Sequence, residues 1–186
     1  MSGSTVSSTS PTYNAAGHHV NSMTTPLLEG FPPVVDDGAR LLILGSFPSV
    51  QSLATRQYYG NPRNAFWPIA SALFGFDAEA PYETRLAALQ SHGVALWDVL
   101  HKCRRAGSSD AKIDTKSMVA NDFGQLFANY CGITRVYFNG HTADKLFHRL
   151  VHVDVSIRYQ LLPSTSPARA MPPGQKLDAW RVIAPS

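Results

Sequence analysis

The chain has 186 residues, of which 44% are hydrophobic, and a formal net charge of +3 at pH 7. This length suits one domain with a sizeable core, and the longest apolar runs fall well short of the ~18 residues of a membrane span. The mild positive charge is compatible with a polyanionic partner but is far below that of a histone-like tail. Two cysteines cannot form a four-thiolate metal or iron–sulfur site, and we expect both to be reduced.

Residues 1–29 are rich in Ser, Thr, Gly and Asn and are predicted to form a disordered leader, in which Met23 is an alternative start. The leader lacks the basic-then-apolar pattern of a secretory signal, which favours a cytoplasmic protein. A single folded domain is predicted over 30–186. Its apolar runs predict buried strands at 41–44, 94–100, 135–138 and 157–162, and its helical patterns predict helices at 64–74, 82–91, 118–130, 142–151 and 174–182.

Strand and helix alternate along the domain. The sequence therefore predicts an α/β fold, a three-layer α/β/α sandwich around a central, mostly parallel four-stranded sheet. Each unusual cluster of polar residues follows a predicted strand. Ligands bind outside the carboxyl ends of the strands in open parallel sheets, so these clusters are expected to belong to a binding site.

The first cluster is the turn Gly45-Ser46-Phe47-Pro48-Ser49. Its backbone N–H groups are candidates to face a phosphate or a flipped base. It is neither a P-loop, since no Gly-Lys-Ser/Thr follows, nor a Gly-x-Ser-x-Gly nucleophile elbow. An ordinary strand-to-helix turn is an equally good interpretation of this cluster alone.

The segment at 58–67, Tyr-Tyr-Gly-Asn-Pro-Arg-Asn-Ala-Phe-Trp, is the most informative in the chain. The proline after Asn61 biases that residue towards extended backbone. Asn64 lies at the start of the next helix, where a helix cap is its simplest role. A cap does not account for Tyr59, Asn61 and Arg63 beside it. Together these residues favour a wall that stacks on a flat ring, recognises its edge and positions a water.

Two further loops carry polar groups. Asp98 ends the second strand and is a candidate base-edge acceptor, water orienter or helix cap. The basic loop after it holds Lys102, Arg104 and Arg105, which suit either phosphate contacts or a solvated surface.

The segment Pro163 to Ala168 has three hydroxyl residues between two prolines, which suits a loop that pinches a phosphodiester backbone. A surface turn is the alternative there, and Arg169 and Met171 are candidate wedge or phosphate-contact residues.

Seven histidines are scattered along the chain without a zinc-binding pattern such as His-Glu-x-x-His. We therefore expect no catalytic metal. Only His141, after the third strand, is placed to touch the site, and a structural role is the simpler one for it.

In the order and spacing of these motifs the chain resembles the uracil-DNA glycosylase superfamily, and within it the hypoxanthine-DNA (deoxyinosine) glycosylase family. The motifs are the turn at 45–49, the segment at 58–67 and the loop Pro163-Ser164-Thr165-Ser166-Pro167, and the resemblance covers about 30–183. It implies a monofunctional repair glycosylase without metal or cofactor. Its partner would be double-stranded DNA with a deaminated base, and we expect a monomer that does not bind membranes and is nucleoid-associated if bacterial.

The resemblance also implies roles for individual residues. Many relatives have Asp or Asn at the position of Phe47 to activate water, so this role must lie elsewhere in this chain. Asn64 is the first candidate and Asn61 the second, and Asp98 is the third catalytic candidate. The implied base-binding residues are Gly45, Ser46, Phe47, Tyr59 and Asn139. The implied DNA-binding residues are Pro48, Ser49, Arg63, Ser164, Thr165, Ser166 and Arg169.

Three alternatives stay open at this point. The same fold with uracil as substrate is the first, and Leu162, where uracil enzymes often have His, counts against it. A DNA-binding relative that has lost its chemistry at Phe47 is the second. An unrelated small-molecule hydrolase is the third, and the sequence offers no nucleophile–base pair for it.

Overall fold

The computed structural model describes residues 25–185. It contains seven strands and six α-helices, with three short 3₁₀ turns. The strands are β1 Leu27–Glu29, β2 Leu41–Gly45, β3 Val94–Asp98, β4 Leu100–Arg104, β5 Val119–Ala120, β6 Arg135–Asn139 and β7 Arg158–Leu162. The helices are α1 Val50–Thr55, α2 Phe66–Phe74, α3 Tyr82–Ser91, α4 Phe123–Asn129, α5 His141–Leu150 and α6 Pro173–Trp180.

A four-stranded sheet in the order β3-β2-β6-β7 forms the centre, and all of its neighbouring strands are parallel. Leu41 of β2 lies opposite Val94 of β3 and Arg135 of β6. Every residue of β2 and β3 is buried, as expected for strands that are covered on both faces. The predicted central sheet is confirmed.

Helices cover both faces of this sheet, which completes the predicted three layers. Side chains alternate along each strand, so that Leu42 and Leu44 of β2 face one core while Leu41 and Ile43 face the other. The first core includes buried residues of α4 and α5. The second includes buried residues of α2, α3 and α6.

The predicted strand at 94–100 divides at Val99, which corrects the sequence prediction. The backbone N–H groups of Val99 and Leu100 donate to Gly45 O at 2.9 Å and Ser46 O at 3.1 Å. These bonds hold the chain against the β2 turn, and it leaves the central sheet there. β4 then pairs antiparallel with β1 and β5 in a second sheet. Part of the predicted basic loop is therefore strand.

The leader prediction needs a similar correction at its end. Leu27–Glu29 form β1 and pair with Lys102 to Arg104, so the folded domain begins before residue 30. Residues 1–24, where most of the predicted leader and Met23 fall, lie outside the described residues.

Helix boundaries differ from prediction where caps and turns set them. α4 begins at Phe123 and not at 118, because the Asp122 side chain accepts from Gln125 N at 3.0 Å and caps the helix. Within the predicted helix, Val119–Ala120 form β5 instead. α1 was not predicted, although Ser49 caps it through Ser52 N at 3.0 Å. Across residues 25–185, none of the helices has the length and apolar character needed to cross a membrane.

Candidate active site

A cavity of about 750 Å³ lies at the carboxyl ends of the parallel strands. The turn after β2, the segment before α2, the end of β3, the start of α5 and the loop after β7 all contribute to its wall. Every residue to which the resemblance assigns a role lines this cavity, whereas Met171 and the basic residues of the loop after Asp98 do not. The residues with an assigned role are Gly45, Ser46, Phe47, Pro48, Ser49, Tyr59, Asn61, Arg63, Asn64, Asp98, Asn139, Ser164, Thr165, Ser166 and Arg169.

Two serines join the first motif to the second. Ser49 Oγ donates to Ser52 Oγ at 3.0 Å, and Ser52 Oγ accepts from Gly60 N at 2.9 Å. A Cβ on Gly60 would stand 2.7 Å from Thr55 Oγ1 and 3.1 Å from the Ser52 Cα, so only glycine fits. Ser52 is buried and was not predicted from the sequence. A serine three residues into a helix gives no local signal of a partner eight residues away.

The two asparagines of the second motif bind backbone as well as facing the cavity. Asn61 Oδ1 accepts from Arg63 N at 3.0 Å and fixes a tight turn. Asn64 Oδ1 accepts from Phe66 N at 2.9 Å. It thereby caps the first backbone N–H of α2, although Ala65 is the residue at the N-cap position. An amide oxygen has a second lone pair, which leaves Asn64 able to bind a water in the cavity.

Tyr59 has an unusual backbone conformation, with φ of 55° in the left-handed region. Its ring stacks on Phe66, with centroids 3.9 Å apart and planes 24° apart. Burial, and after it the charge of Asp98, raises the pKa of Tyr59 well above its ordinary value. The Asn139 side chain lies close enough to offset part of that rise, but the hydroxyl has no hydrogen bond of good geometry among residues 25–185.

Asp98 lies at the end of β3 and is 5% exposed. Burial raises its pKa to about 7, the Asp110 charge adds to the rise, and Arg105 opposes it. Its Oδ2 atom finds no hydrogen-bond partner in the described part of the chain. A carboxyl with these properties is protonated in a large fraction of molecules at neutral pH.

The buried side chain of Arg105 holds the turn at 45–49 through hydrogen bonds and a ring contact. Its Nη2 donates to Pro48 O, its Nε donates to Gly107 O at 2.8 Å, and its guanidinium lies 5.1 Å from the Phe47 ring centroid. Asp110 Oδ1 lies 3.9 Å from Arg105 Nη1 and accepts from Ser46 Oγ at 2.8 Å. Burial is the main reason that the pKa of Asp110 is raised and that of Arg105 lowered.

The loop after β7 is held from two sides. Asn139, at the end of β6, hydrogen-bonds the backbone N–H and the hydroxyl of Thr165, and Ala65 N donates to Thr165 O at 3.0 Å. Trp180 Nε1 of α6 donates to Pro163 O at 2.9 Å. Thr165 is therefore buried and acts as an anchor, which differs from the DNA contact that the resemblance implies for it.

The rim of the cavity carries two exposed cations, Arg63 and Arg169. Ser164 and Ser166 are half-buried beside them. Lys102 and Arg104 of the predicted basic loop lie elsewhere: Lys102 Nζ is 3.7 Å from Glu29 Oε2, and Arg104 Nη1 donates to Thr25 O at 2.6 Å. The described residues include no group of three or more His, Cys, Asp or Glu side chains placed to hold a metal ion.

The family model described as the uracil DNA glycosylase superfamily matches residues 32–184. Two proteins named hypoxanthine DNA glycosylase are similar to this chain. The one from Methanosarcina acetivorans is 34% identical over 83% of this chain and 96% of its own length. The one from Methanosarcina barkeri is 39% identical over 60% of this chain and 70% of its own length.

A solved structure shares the fold. The solution NMR structure of a candidate uracil DNA glycosylase from Methanosarcina acetivorans superposes with a TM-score of 0.69 and 32% sequence identity. The match covers 85% of this chain and 99% of that one.

Proposed function

The chain belongs to the uracil DNA glycosylase superfamily, and we propose that it is a monofunctional DNA glycosylase that removes hypoxanthine from deoxyinosine in duplex DNA. The damaged nucleotide is flipped out of the stack into the cavity, and hydrolysis of its N-glycosidic bond leaves an abasic site. The names of the two Methanosarcina relatives favour hypoxanthine over uracil as the preferred base.

One observation carries the proposal. The loops after three parallel strands and the segment at 58–67 meet in one cavity that combines aromatic, amide and carboxyl side chains. Its volume of about 750 Å³ falls in the range of roughly 300–1,000 Å³ that is usual for small-molecule sites. The exposed Arg63 and Arg169 at the rim suit the phosphates on either side of a flipped nucleotide.

The chemistry needs water placed on the sugar and stabilisation of the departing base. The C1′–N9 bond breaks and its electron pair leaves with the base, while the sugar passes through an oxocarbenium-like state. The water oxygen bonds to C1′, and a proton of that water ends on the base. Asn64 is the proposed water-positioning residue because its amide lines the cavity and is held in place by its bond to α2. Asn61 is the second candidate.

The protein is proposed to act as a monomer on double-stranded DNA. Ser164, Ser166, Arg63 and Arg169 are the proposed phosphate contacts, together with the turn at 45–49. Phe47 is only 6% exposed, so its contact with a flipped base is confined to the part of its ring at the cavity wall.

A panel of duplexes tests the proposal. Each carries one deoxyinosine, one deoxyuridine or no lesion, and each is incubated with the protein in EDTA and then treated with alkali to cut at abasic sites. We expect fastest cleavage at deoxyinosine, slower or no cleavage at deoxyuridine, and none in the undamaged duplex. Faster cleavage at deoxyuridine would make uracil the substrate. Salt-dependent duplex binding without cleavage of either lesion would contradict the enzyme assignment.

A further inference from the structure

Asp110 brings a second carboxylate to the cavity wall, from the loop after β4. Its side chain is 34% exposed, so water and a bound nucleotide can reach it. Asp98, the other carboxylate of the wall, is only 5% exposed, and its Oδ2 atom is inaccessible. Among residues 25–185, Asp110 is therefore the carboxylate of this wall that can contact a ligand.

Hydrogen bonds fix Asp110 against the turn at 45–49. Ser46 Oγ donates to Asp110 Oδ1 at 2.8 Å. Two residues before Asp110, Ser108 Oγ accepts from Val50 N at 2.9 Å. The loop is thus tied to the start of α1 as well as to the turn, and the carboxylate has a defined place before DNA binds. Charged groups fixed in advance in this way are the ones that stabilise a transition state well.

The buried Arg105 does not account for this carboxylate. Arg105 Nη1 lies 3.9 Å from Asp110 Oδ1 and makes no hydrogen bond in the part of the chain that the structure describes. A carboxylate that completed a buried guanidinium would approach it to about 2.7–2.9 Å. Asp110 therefore gives Arg105 a nearby charge but no hydrogen bond, and its exposed side is free to act in the cavity.

A negative charge at this place does not favour DNA binding, because it repels the phosphates on either side of a flipped nucleotide. It does favour the oxocarbenium-like sugar, whose positive charge appears only as the C1′–N9 bond breaks. An interaction gained in the transition state alone raises the rate of the chemical step. A carboxylate in the wall of a phosphate-binding cavity is therefore expected to serve chemistry and not affinity.

The depth of Asp110 in the cavity suits contact with the sugar. Arg63 and Arg169 are exposed at the rim, where the phosphates would stay, and Asp98 is buried at the end of β3. The exposure of Asp110 lies between these extremes. A flipped nucleotide enters with its base foremost and stays joined to its phosphates, so its sugar occupies the intermediate level.

We propose that the Asp110 carboxylate is the general base of the reaction, which takes a proton from the attacking water while its charge stabilises the sugar cation. This inference rests on the proposed function and deepens it. Asn64 can hold the water, but its neutral amide is not a base that can take the proton. The two residues therefore have different tasks, since Asn64 orients the water and Asp110 deprotonates it.

Bonds, electrons and protons balance in this step. The water oxygen forms its bond to C1′ while the electron pair of the C1′–N9 bond leaves with the base. One O–H bond of the water breaks, and its proton goes to a carboxylate oxygen of Asp110. The exposed carboxyl then releases the proton to solvent, from which the departed base takes one. The net reaction is hydrolysis, and Asp110 returns to its ionised form.

The first test is Asp110→Asn, which keeps an oxygen able to accept from Ser46 and removes the charge and the base. We expect the single-turnover rate on deoxyinosine to fall by at least about 10²-fold, as is usual for loss of a general base. Affinity for the duplex, measured by fluorescence anisotropy, should stay the same or rise, because a negative charge near the phosphates is gone. A residue that only holds the loop would not separate rate from affinity.

Asp114→Asn is the matched control, because it makes the same charge change on the same loop. Asp114 is exposed and does not line the cavity, and its Oδ1 atom accepts from Lys116 N at 3.0 Å. We expect its single-turnover rate to match wild type. A slow Asp114→Asn variant would assign the effect to the net charge of the loop and overturn the specific role of Asp110.

The second test is the pH dependence of the rate. A general base acts only when ionised, so the wild-type rate should fall as pH drops through the pKa of Asp110, which burial raises above its ordinary value of 3.8. The titratable groups around Asp110 are Arg105 on its own loop, Cys103 of β4, Asp98 of β3 and His141 at the start of α5. In Asp110→Asn the fall should disappear, whereas a fall caused by one of these neighbours would persist.

The outcomes separate the inference from the proposed function. A wild-type protein inactive on deoxyinosine would overturn both. An active wild type with an equally fast Asp110→Asn variant would overturn the inference alone, as would a variant that loses affinity and rate together or whose rate still falls at acid pH. A wild-type rate that stays constant or rises down to about pH 4 would do the same, and this measurement does not depend on whether the variant folds.

Discussion

Asn139 and Thr165 hold each other through two hydrogen bonds. Asn139 Nδ2 donates to Thr165 Oγ1 at 2.9 Å, and Thr165 N donates to Asn139 Oδ1 at 2.8 Å. The pair ties the loop after β7 to the end of β6, in the centre of the sheet. Ser164 and Ser166 owe their position on the cavity wall to this attachment.

Asn139→Ala should therefore destabilise the protein and slow the reaction. The substitution leaves the buried Thr165 N–H without a partner, and we expect a loss of about 1–3 kcal/mol in the free energy of unfolding. Thr165→Val breaks only the side-chain bond and should cost less. The double variant should cost less than the sum of the two, because the side chains act on each other. Additive losses in urea titrations would show that the pair is not coupled.

Asn64 offers a way to separate a helix cap from a catalytic group. Asn64→Ala removes both the cap on α2 and the proposed water ligand, so it should cost about 1 kcal/mol of stability and at least about 10²-fold in rate. Asn64→Ser can still cap the helix but is too short to hold the water at the same place. We expect the serine variant to be as stable as wild type and nearly as slow as the alanine variant.

Urea titration and single-turnover assays on the same preparations measure both effects. A serine variant with wild-type rate would reduce Asn64 to a cap and move the water to Asn61.

Burial of Asp98 should make the protein less stable as pH rises. The pKa of this carboxyl is about 7 in the folded protein and 3.8 by its ordinary value, so the folded state holds the proton over an interval in which the unfolded state has lost it. The free energy of unfolding therefore falls as pH rises from about 4 to 7. The total loss, reached above pH 7, is roughly 4 kcal/mol at most.

Asp98→Asn cannot ionise and should remove this part of the pH dependence. Urea titrations of both proteins between about pH 4 and 8 measure the difference. We expect the variant to gain on wild type as pH rises. A constant difference across the range would contradict a raised pKa for Asp98.

Arg105 should matter for stability although it does not line the cavity. Its side chain is fully buried, and Arg105→Met would leave the carbonyls of Pro48 and Gly107 without their donor. We expect a loss of about 2–4 kcal/mol in the free energy of unfolding and a weaker hold on the turn at 45–49. Arg104→Met is the matched control and should cost less than about 1 kcal/mol, since Arg104 is less buried. Equal losses would contradict the special role of Arg105.

Much of the site was predictable because its residues follow strands that the apolar runs define. Gly45, Asp98 and Asn139 each end a strand of the central sheet, and parallel strands bring their carboxyl ends to one edge. The segment at 58–67 could be assigned to the site from its residue types alone. Local sequence therefore contained the position of the cavity and most of its wall.

The remaining features depend on contacts between distant residues. The division of the 94–100 run at Val99 follows from its bond to Gly45 O, which no local pattern reveals. Arg105 looks like a surface cation in sequence, and only its contacts with Pro48 and Asp110 explain its burial. The left-handed backbone of Tyr59 is rare for a residue with a Cβ, so its hydroxyl could not be placed from sequence.

Mass spectrometry of the released product tests the central claim most directly. A duplex with one deoxyinosine would be incubated with the protein in EDTA, and the small molecules would be separated from the DNA and identified. We predict one free hypoxanthine for each abasic site formed, and no free adenine from a matched undamaged duplex. Strand cleavage without free base, or release of a nucleotide in place of a base, would contradict a monofunctional glycosylase.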